Sequence, residues 1–270
     1  MDLPYRFPTR SWELGIDFGS TFSAVAYCLT SDSIEFGCQA GEVCSITAYP
    51  RRQGDKSLNF VRSEVPTKLR YEQGGQYKRW GWDVVYHEDN GLYRTIPGHL
   101  LELFKCGLDD HESSLDARDR LGESLSQLPF QKSVDEVVLD YLTKLLRHAK
   151  TRLEAIGYHE GDKVHLTCTV PAMWSIRARR RTISAVEKSK KEAGFSLGKS
   201  VSLCSEPEAA TAYVFHKFEN IKLRVGVSYI ARLTEVSLTL TKEGDTFIVC
   251  DAGGVTVVRR YILQPIEQCY

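Results

Sequence analysis

A chain of 270 residues with 42% hydrophobic side chains is long enough for one large domain or two modest ones, each with its own core, and this composition excludes an intrinsically disordered protein. Its 35 Lys and Arg balance 35 Asp and Glu, so the field of the whole molecule calls for neither a nucleic acid nor an acidic partner. No apolar window reaches the roughly 20 residues of a membrane helix, and the start MDLPYRFPTRSWELG lacks the basic and apolar regions of a signal peptide; a soluble cytoplasmic chain is expected, with the nucleus as a second location.

In chain order, residues 1–12 read as an N-terminal extension. From Glu13 to about Phe60, short β-rich runs alternate with turn residues, as in a meander of strands. Val65 to Asn90 reads as irregular strand and loop, GHLLELFKCGL as a short apolar helix, and Asp109 to Gln131 as a polar surface excursion. The clearest helix follows: SVDEVVLDYLTKLLRHAKTRLEAIG opens on an S-x-x-E capping box, Ser133 with Glu136, repeats its apolar residues at three and four, and stops at Gly157. KVHLTCTV alternates as a strand ended by Pro171. The spacing then predicts a helix between a Ser175 cap and Gly194, a strand at SVSLCS, and a helix at EPEAATAYVFHKF with Pro207 in its first turn. Strands first, then alternating helix and strand, is an α/β layout: a mixed sheet with helices on its faces.

The eight cysteines include no C-x-x-C pair and the seven histidines no H-x-x-x-H, so reduced thiols and no zinc site are expected. The basic run Arg177 to Arg181, RARRR, sits on a helix with apolar Ile183 and Val186, which favours an outer helix face over a nucleic-acid patch.

Two stretches share one pattern. Leu14–Tyr27, LGIDFGSTFSAVAY, and Phe247–Val258, FIVCDAGGVTVV, each pass from an apolar run to an Asp, a Gly-rich turn with a hydroxyl residue and another β-branched run. The first turn opens a strand rather than a helix, which excludes a dinucleotide fingerprint and a P-loop. A hairpin tip of this kind can hold a phosphate through backbone amides and the hydroxyls of Ser20 and Thr21, with Asp17 placed for a hydrated Mg²⁺. Two such tips facing each other can grip a polyphosphate from both sides.

GIDFGSTFSAVAY, TVPAMW, SEPEAA and DAGGVTV, in that order, resemble the actin-like ATPase domain of the seventy-kilodalton heat-shock protein family, the DnaK-type chaperones, over roughly Leu14 to Val258. The resemblance implies an actin-like, ribonuclease H-like lobe spanning residues 13–218, with an inserted subdomain at about 60–130. Residues 219–270 would then be a connecting segment and the truncated start of an incomplete second lobe. It implies ATP or ADP with Mg²⁺ as ligands, and protein clients or co-chaperones as partners, with no membrane or nucleic acid. By position, Asp17, Gly19, Ser20 and Thr21 match the first phosphate loop, and Asp251, Gly253, Gly254 and Thr256 the second. Asp17 and Asp251 would hold Mg²⁺ through water. Glu206 falls where the family orients the attacking water, Pro207 where it couples nucleotide state to lobe movement, and Lys105 where a lysine meets the γ phosphate, with Lys68 as the rival.

Two departures from the family pattern lower the expected activity. Val255 replaces a glycine of the second loop and Val258 its final aspartate, and the chain stops at Tyr270, before a second lobe that would close the cleft. Weak or absent hydrolysis is therefore expected. The alternatives are a non-enzymatic interaction module or a fragment of a longer protein, and, further off, a metabolite kinase of the same fold.

Overall fold

Alternation in Ser11–Phe18 sends Trp12, Leu14, Ile16 and Phe18 to one face, where all four are buried, and leaves Glu13, Gly15 and Asp17 on the other, half-buried or exposed. A computed structural model describes this strand within residues 11–30, 43–50, 61–72, 74–75, 77–84, 98–195, 198, 200–217, 247–249 and 261–263.

In chain order the strands are β1 (Ser11–Phe18), β2 (Phe22–Thr30), β3 (Cys44–Ser45), β4 (Glu64–Pro66), β5 (Leu69–Tyr71), β6 (Tyr77–Trp80) and β7 (His99–Leu101). Helices α1 (Leu115–Ser126) and α2 (Val134–Glu154) follow, then β8 (Lys163–Val170), α3 (Ile176–Glu192), β9 (Ser202–Ser205), α4 (Glu206–Lys217), β10 (Phe247–Val249) and β11 (Tyr261–Leu263). The main sheet runs β3-β2-β1-β8-β9, with β4 also paired to β2. β1 is antiparallel to β2 and parallel to β8, and β8 is parallel to β9, so the sheet is mixed. Its helices make this an α/β fold. A three-stranded antiparallel sheet, β6-β5-β7, stands beside it.

The capping box forms as the sequence requires. Ser133 Oγ accepts from the Glu136 amide at 3.3 Å while Glu136 accepts from the Ser133 amide at 2.8 Å. The helix it starts, α2, buries Val137, Val138, Tyr141, Leu142, Leu145, Leu146, Ala149 and Leu153. Tyr141 joins the two sheets, with its ring centroid 6.1 Å from Phe18, 5.3 Å from Phe104 and 6.0 Å from Trp80. Helix α3 is capped by Ser175, whose Oγ accepts from the Ala178 amide, and is followed by Gly194 at φ 82, the left-handed stop that glycine adopts without strain.

Two segments differ from the sequence reading. GHLLELFKCGL forms no α-helix: it gives β7 and then a 3₁₀ turn, Phe104–Leu108, separated by Leu103 at φ 60. The apolar run is short, and pairing of Leu101 with Leu69 of β5 gives its backbone a partner that a single helical turn lacks. The polar stretch after Asp109 holds α1, whose buried stripe is only Ala117 and Leu121, too narrow a pattern to stand out. Cys28 is disulfide-bonded, against the expectation of reduced thiols, while Cys44, Cys106, Cys168 and Cys204 are free. Among the described residues, no helix is long and apolar enough to cross a membrane.

Burial also gives α2 an acid-sensitive point. His148 lies against Tyr49, ring centroids 4.8 Å apart, and contacts the Thr47 carbonyl through Nε2 at 3.1 Å. Burial pushes its pKa below the ordinary histidine value and Arg152 adds to this, against the opposing pull of the Thr47 carbonyl. The unfolded chain binds this proton more readily, so the stability owed to neutral His148 is complete above about pH 6.5 and is lost as pH falls toward the lowered native value. Urea unfolding at pH 7.5 and pH 5.5 should show a fall in midpoint that His148→Phe reduces. An equal fall in the variant would remove His148 as its source.

Candidate functional site

The hairpin between β1 and β2 turns at Gly19, Ser20 and Thr21. Gly19 is required by close approach: a Cβ there would lie 2.1 Å from the Phe22 carbonyl oxygen. The turn is pinned from the side of β4. Thr67 Oγ1 donates to the Gly19 carbonyl at 2.8 Å, the Thr67 amide donates to the Thr21 carbonyl at 2.8 Å, and the Ser23 and Thr67 hydroxyls share a hydrogen bond of 2.8 Å. Asp17, exposed near the end of β1, accepts from Thr169 Oγ1 of β8 at 2.9 Å. The parallel register that sets Ile16 beside Cys168 brings these two side chains together.

Lys105 comes from the 3₁₀ turn. Its ammonium is 2.5 Å from Glu206 Oε1, and the residue is only 3% exposed, so the pair is held mostly out of water. Glu206 is the first residue of α4, directly after β9. The neighbouring Glu208 is committed to the helix cap: it accepts from the Ser205 amide at 2.9 Å, and these Ser205 hydrogen bonds hold its carboxyl below the usual range. Pro207 is buried in the first turn, where its missing amide hydrogen costs nothing. Cys106 lies beside Lys105 in sequence and contacts Ser20 Oγ through Sγ at 3.5 Å, tying the 3₁₀ turn to the hairpin tip.

The Cys168 thiol, pushed up to about 12 mainly by burial, feels Lys105 as a lowering charge and Asp17 and Glu206 as raising ones. Lys68 is elsewhere engaged, in an ion pair with Glu102 at 3.0 Å. No protein-family model fits the chain, and a search of curated proteins returns no match.

Of the residues singled out in the sequence, Asp17, Gly19, Ser20, Thr21, Lys105 and Glu206 are described, and the Lys105–Glu206 pair and the Cys106–Ser20 contact join three separate segments. Asp251, Gly253, Gly254 and Thr256 lie outside the described residues. Strands β10 and β11, on either side of them in sequence, pair antiparallel with Val249 opposite Tyr261. Among the described residues no cluster of three or more metal-ligating side chains forms.

The basic run on α3 ties the helix down. Arg177 meets Asp110, Arg179 donates to the carbonyls of Ala172 and Trp174, and Arg181 donates to Asp135 and to the carbonyls of Gly107 and Leu108. Thr67 and Cys106 support the site without a sequence signal of their own, and Thr169 and Trp174 lie within TVPAMW, which marks the segment but not their contacts. Their roles follow from strand register and turn packing.

Proposed function

We propose that this chain is a divergent relative of the actin-like ATPase domain of DnaK-type chaperones and binds Mg-ATP at the β1–β2 hairpin. The observation that carries the reading is the Lys105–Glu206 pair: a buried cation and a carboxylate, from segments 101 residues apart, set beside a Gly-Ser-Thr turn that Cys106 contacts. In this reading Ser20, Thr21 and the turn amides receive phosphate oxygens, and Lys105 offsets their charge. Mg²⁺ would supply charge neutralisation of the phosphates, with Asp17 placed to hold its water shell. Glu206 orients water for attack on the terminal phosphate. Asp251, Gly253, Gly254 and Thr256 correspond by sequence to the family's second phosphate loop. Hydrolysis is weak, because Val255 and Val258 stand where a glycine and an aspartate would serve that loop. A cytoplasmic or nuclear setting, with protein clients or co-chaperones as partners, follows from the same kinship.

A non-enzymatic interaction module is the second reading. Met173 and Ile176, 50% and 71% exposed next to Trp174, favour it as apolar contacts for a protein partner. Calorimetric titration with Mg-ATP and a phosphate-release assay distinguish the two. Binding with slow release that Glu206→Gln lowers further supports the nucleotide reading. No heat and no release at millimolar Mg-ATP would leave the interaction module.

A further inference from the structure

Lys105 is held by more than its carboxylate. Its ammonium lies 5.5 Å from the centroid of the Trp174 ring and 5.9 Å from that of Phe18, within the range of a cation–π contact in each case. At 3% exposure the cation has given up most of its hydration, and among the described residues the two ring faces and Glu206 stand in for that water.

The placement of the indole is built in. The Trp174 amide donates to the Pro171 carbonyl at 3.1 Å, and Arg179 Nε donates to the Trp174 carbonyl at 3.3 Å. The next residue, Ser175, is clamped by Asp109, whose Oδ1 accepts from the Ser175 hydroxyl at 2.8 Å and from its amide at 3.4 Å. Asp109 is itself buried and follows directly on the 3₁₀ turn that carries Lys105. Arg181 holds the other side of that turn through the carbonyls of Gly107 and Leu108, at 2.9 and 2.7 Å. The loop bearing the ring and the turn bearing the cation are therefore fixed to each other by a buried carboxylate and an arginine.

We infer that Trp174 is a positioning residue for Lys105: its ring face keeps the ammonium aimed at the hairpin tip when an anion at the tip competes with Glu206 for it. The inference rests on the nucleotide reading for its consequence and not for its geometry. A carboxylate alone would let the lysine leave with it. The ring holds the cation without carrying a charge that an incoming phosphate would repel, and indole is the best of the aromatic faces for this purpose.

Two arms test it. In the nucleotide-free protein, Lys105→Gln should change the tryptophan fluorescence and near-ultraviolet dichroism of the wild type and leave those of a Trp174→Phe background unaltered. In Mg-ATP titrations, Trp174→Leu should raise Kd about tenfold and Trp174→Phe less than threefold, because only the second keeps a ring face. A ring that merely fills space would let both variants bind alike, and that result overturns the inference. Failure of the wild type to bind Mg-ATP overturns the nucleotide reading instead. The first arm then decides alone, and spectra indifferent to Lys105→Gln would remove the contact.

Discussion

Glu206→Ala is expected to destabilise the protein by about 3 kcal/mol, the largest stability effect of any single change in the site. Breaking a buried ion pair costs roughly 3–5 kcal/mol because the surviving charge is left without a partner. The lower end applies because the Glu206 side chain is 23% exposed, so water can follow it out, whereas the Lys105 side chain is 4% exposed and stays enclosed. For a domain of this size the loss corresponds to roughly 6–12 °C in thermal midpoint. Lys105→Met should cost less, since the Glu206 carboxylate is nearer solvent and can hydrate. The double variant Lys105→Met with Glu206→Leu should recover much of the loss, as apolar replacement of both partners removes the desolvation cost along with the attraction. Thermal melts of all three, with equal midpoints for Glu206→Ala and the wild type, would show that the pair is not holding Lys105 in place.

The second large effect concerns binding. Lys105→Met should weaken Mg-ATP by about 100-fold, the value of a charge-assisted contact to phosphate made away from water. Asp17→Asn should act differently. It should leave ATP binding in excess EDTA unchanged and erase the gain that Mg²⁺ gives the wild type, because in the proposed reading its carboxylate would serve the metal's water shell rather than the phosphate. Loss of binding by Lys105→Met together with loss of the Mg²⁺ gain by Asp17→Asn would separate the two roles. Wild-type affinity in both variants would exclude the hairpin tip as the phosphate site.

These two changes also show where sequence reasoning succeeds and where it stops. Along the chain Lys105 is the first candidate and Lys68 its rival, each in a mixed apolar and polar run. Only packing separates them: one turns inward to Glu206 and two aromatic rings, and the other meets Glu102 near the surface. The helix expected at GHLLELFKCGL fails for a related reason. Its local pattern suits a short helix, yet β5 offers the first half a strand partner and Leu103 turns the chain before a second helical turn can form.

The periodic elements are legible from local sequence. Alternation in Ser11–Phe18 and Lys163–Val170, the three-and-four repeat from Val137 to Leu153, and the caps at Ser133 and Ser175 are local features, fixed by side chains within a few residues of one another. It also marked Gly19, whose need for a bare backbone arises within the same hairpin. Only tertiary packing joins Lys105 to Glu206, lets Thr169 hold Asp17, and has Asp109 and Arg181 lock Trp174 beside Lys105. Those contacts join residues about 65 to 150 positions apart, and they come from strand order and helix packing, which no local pattern in a single chain encodes.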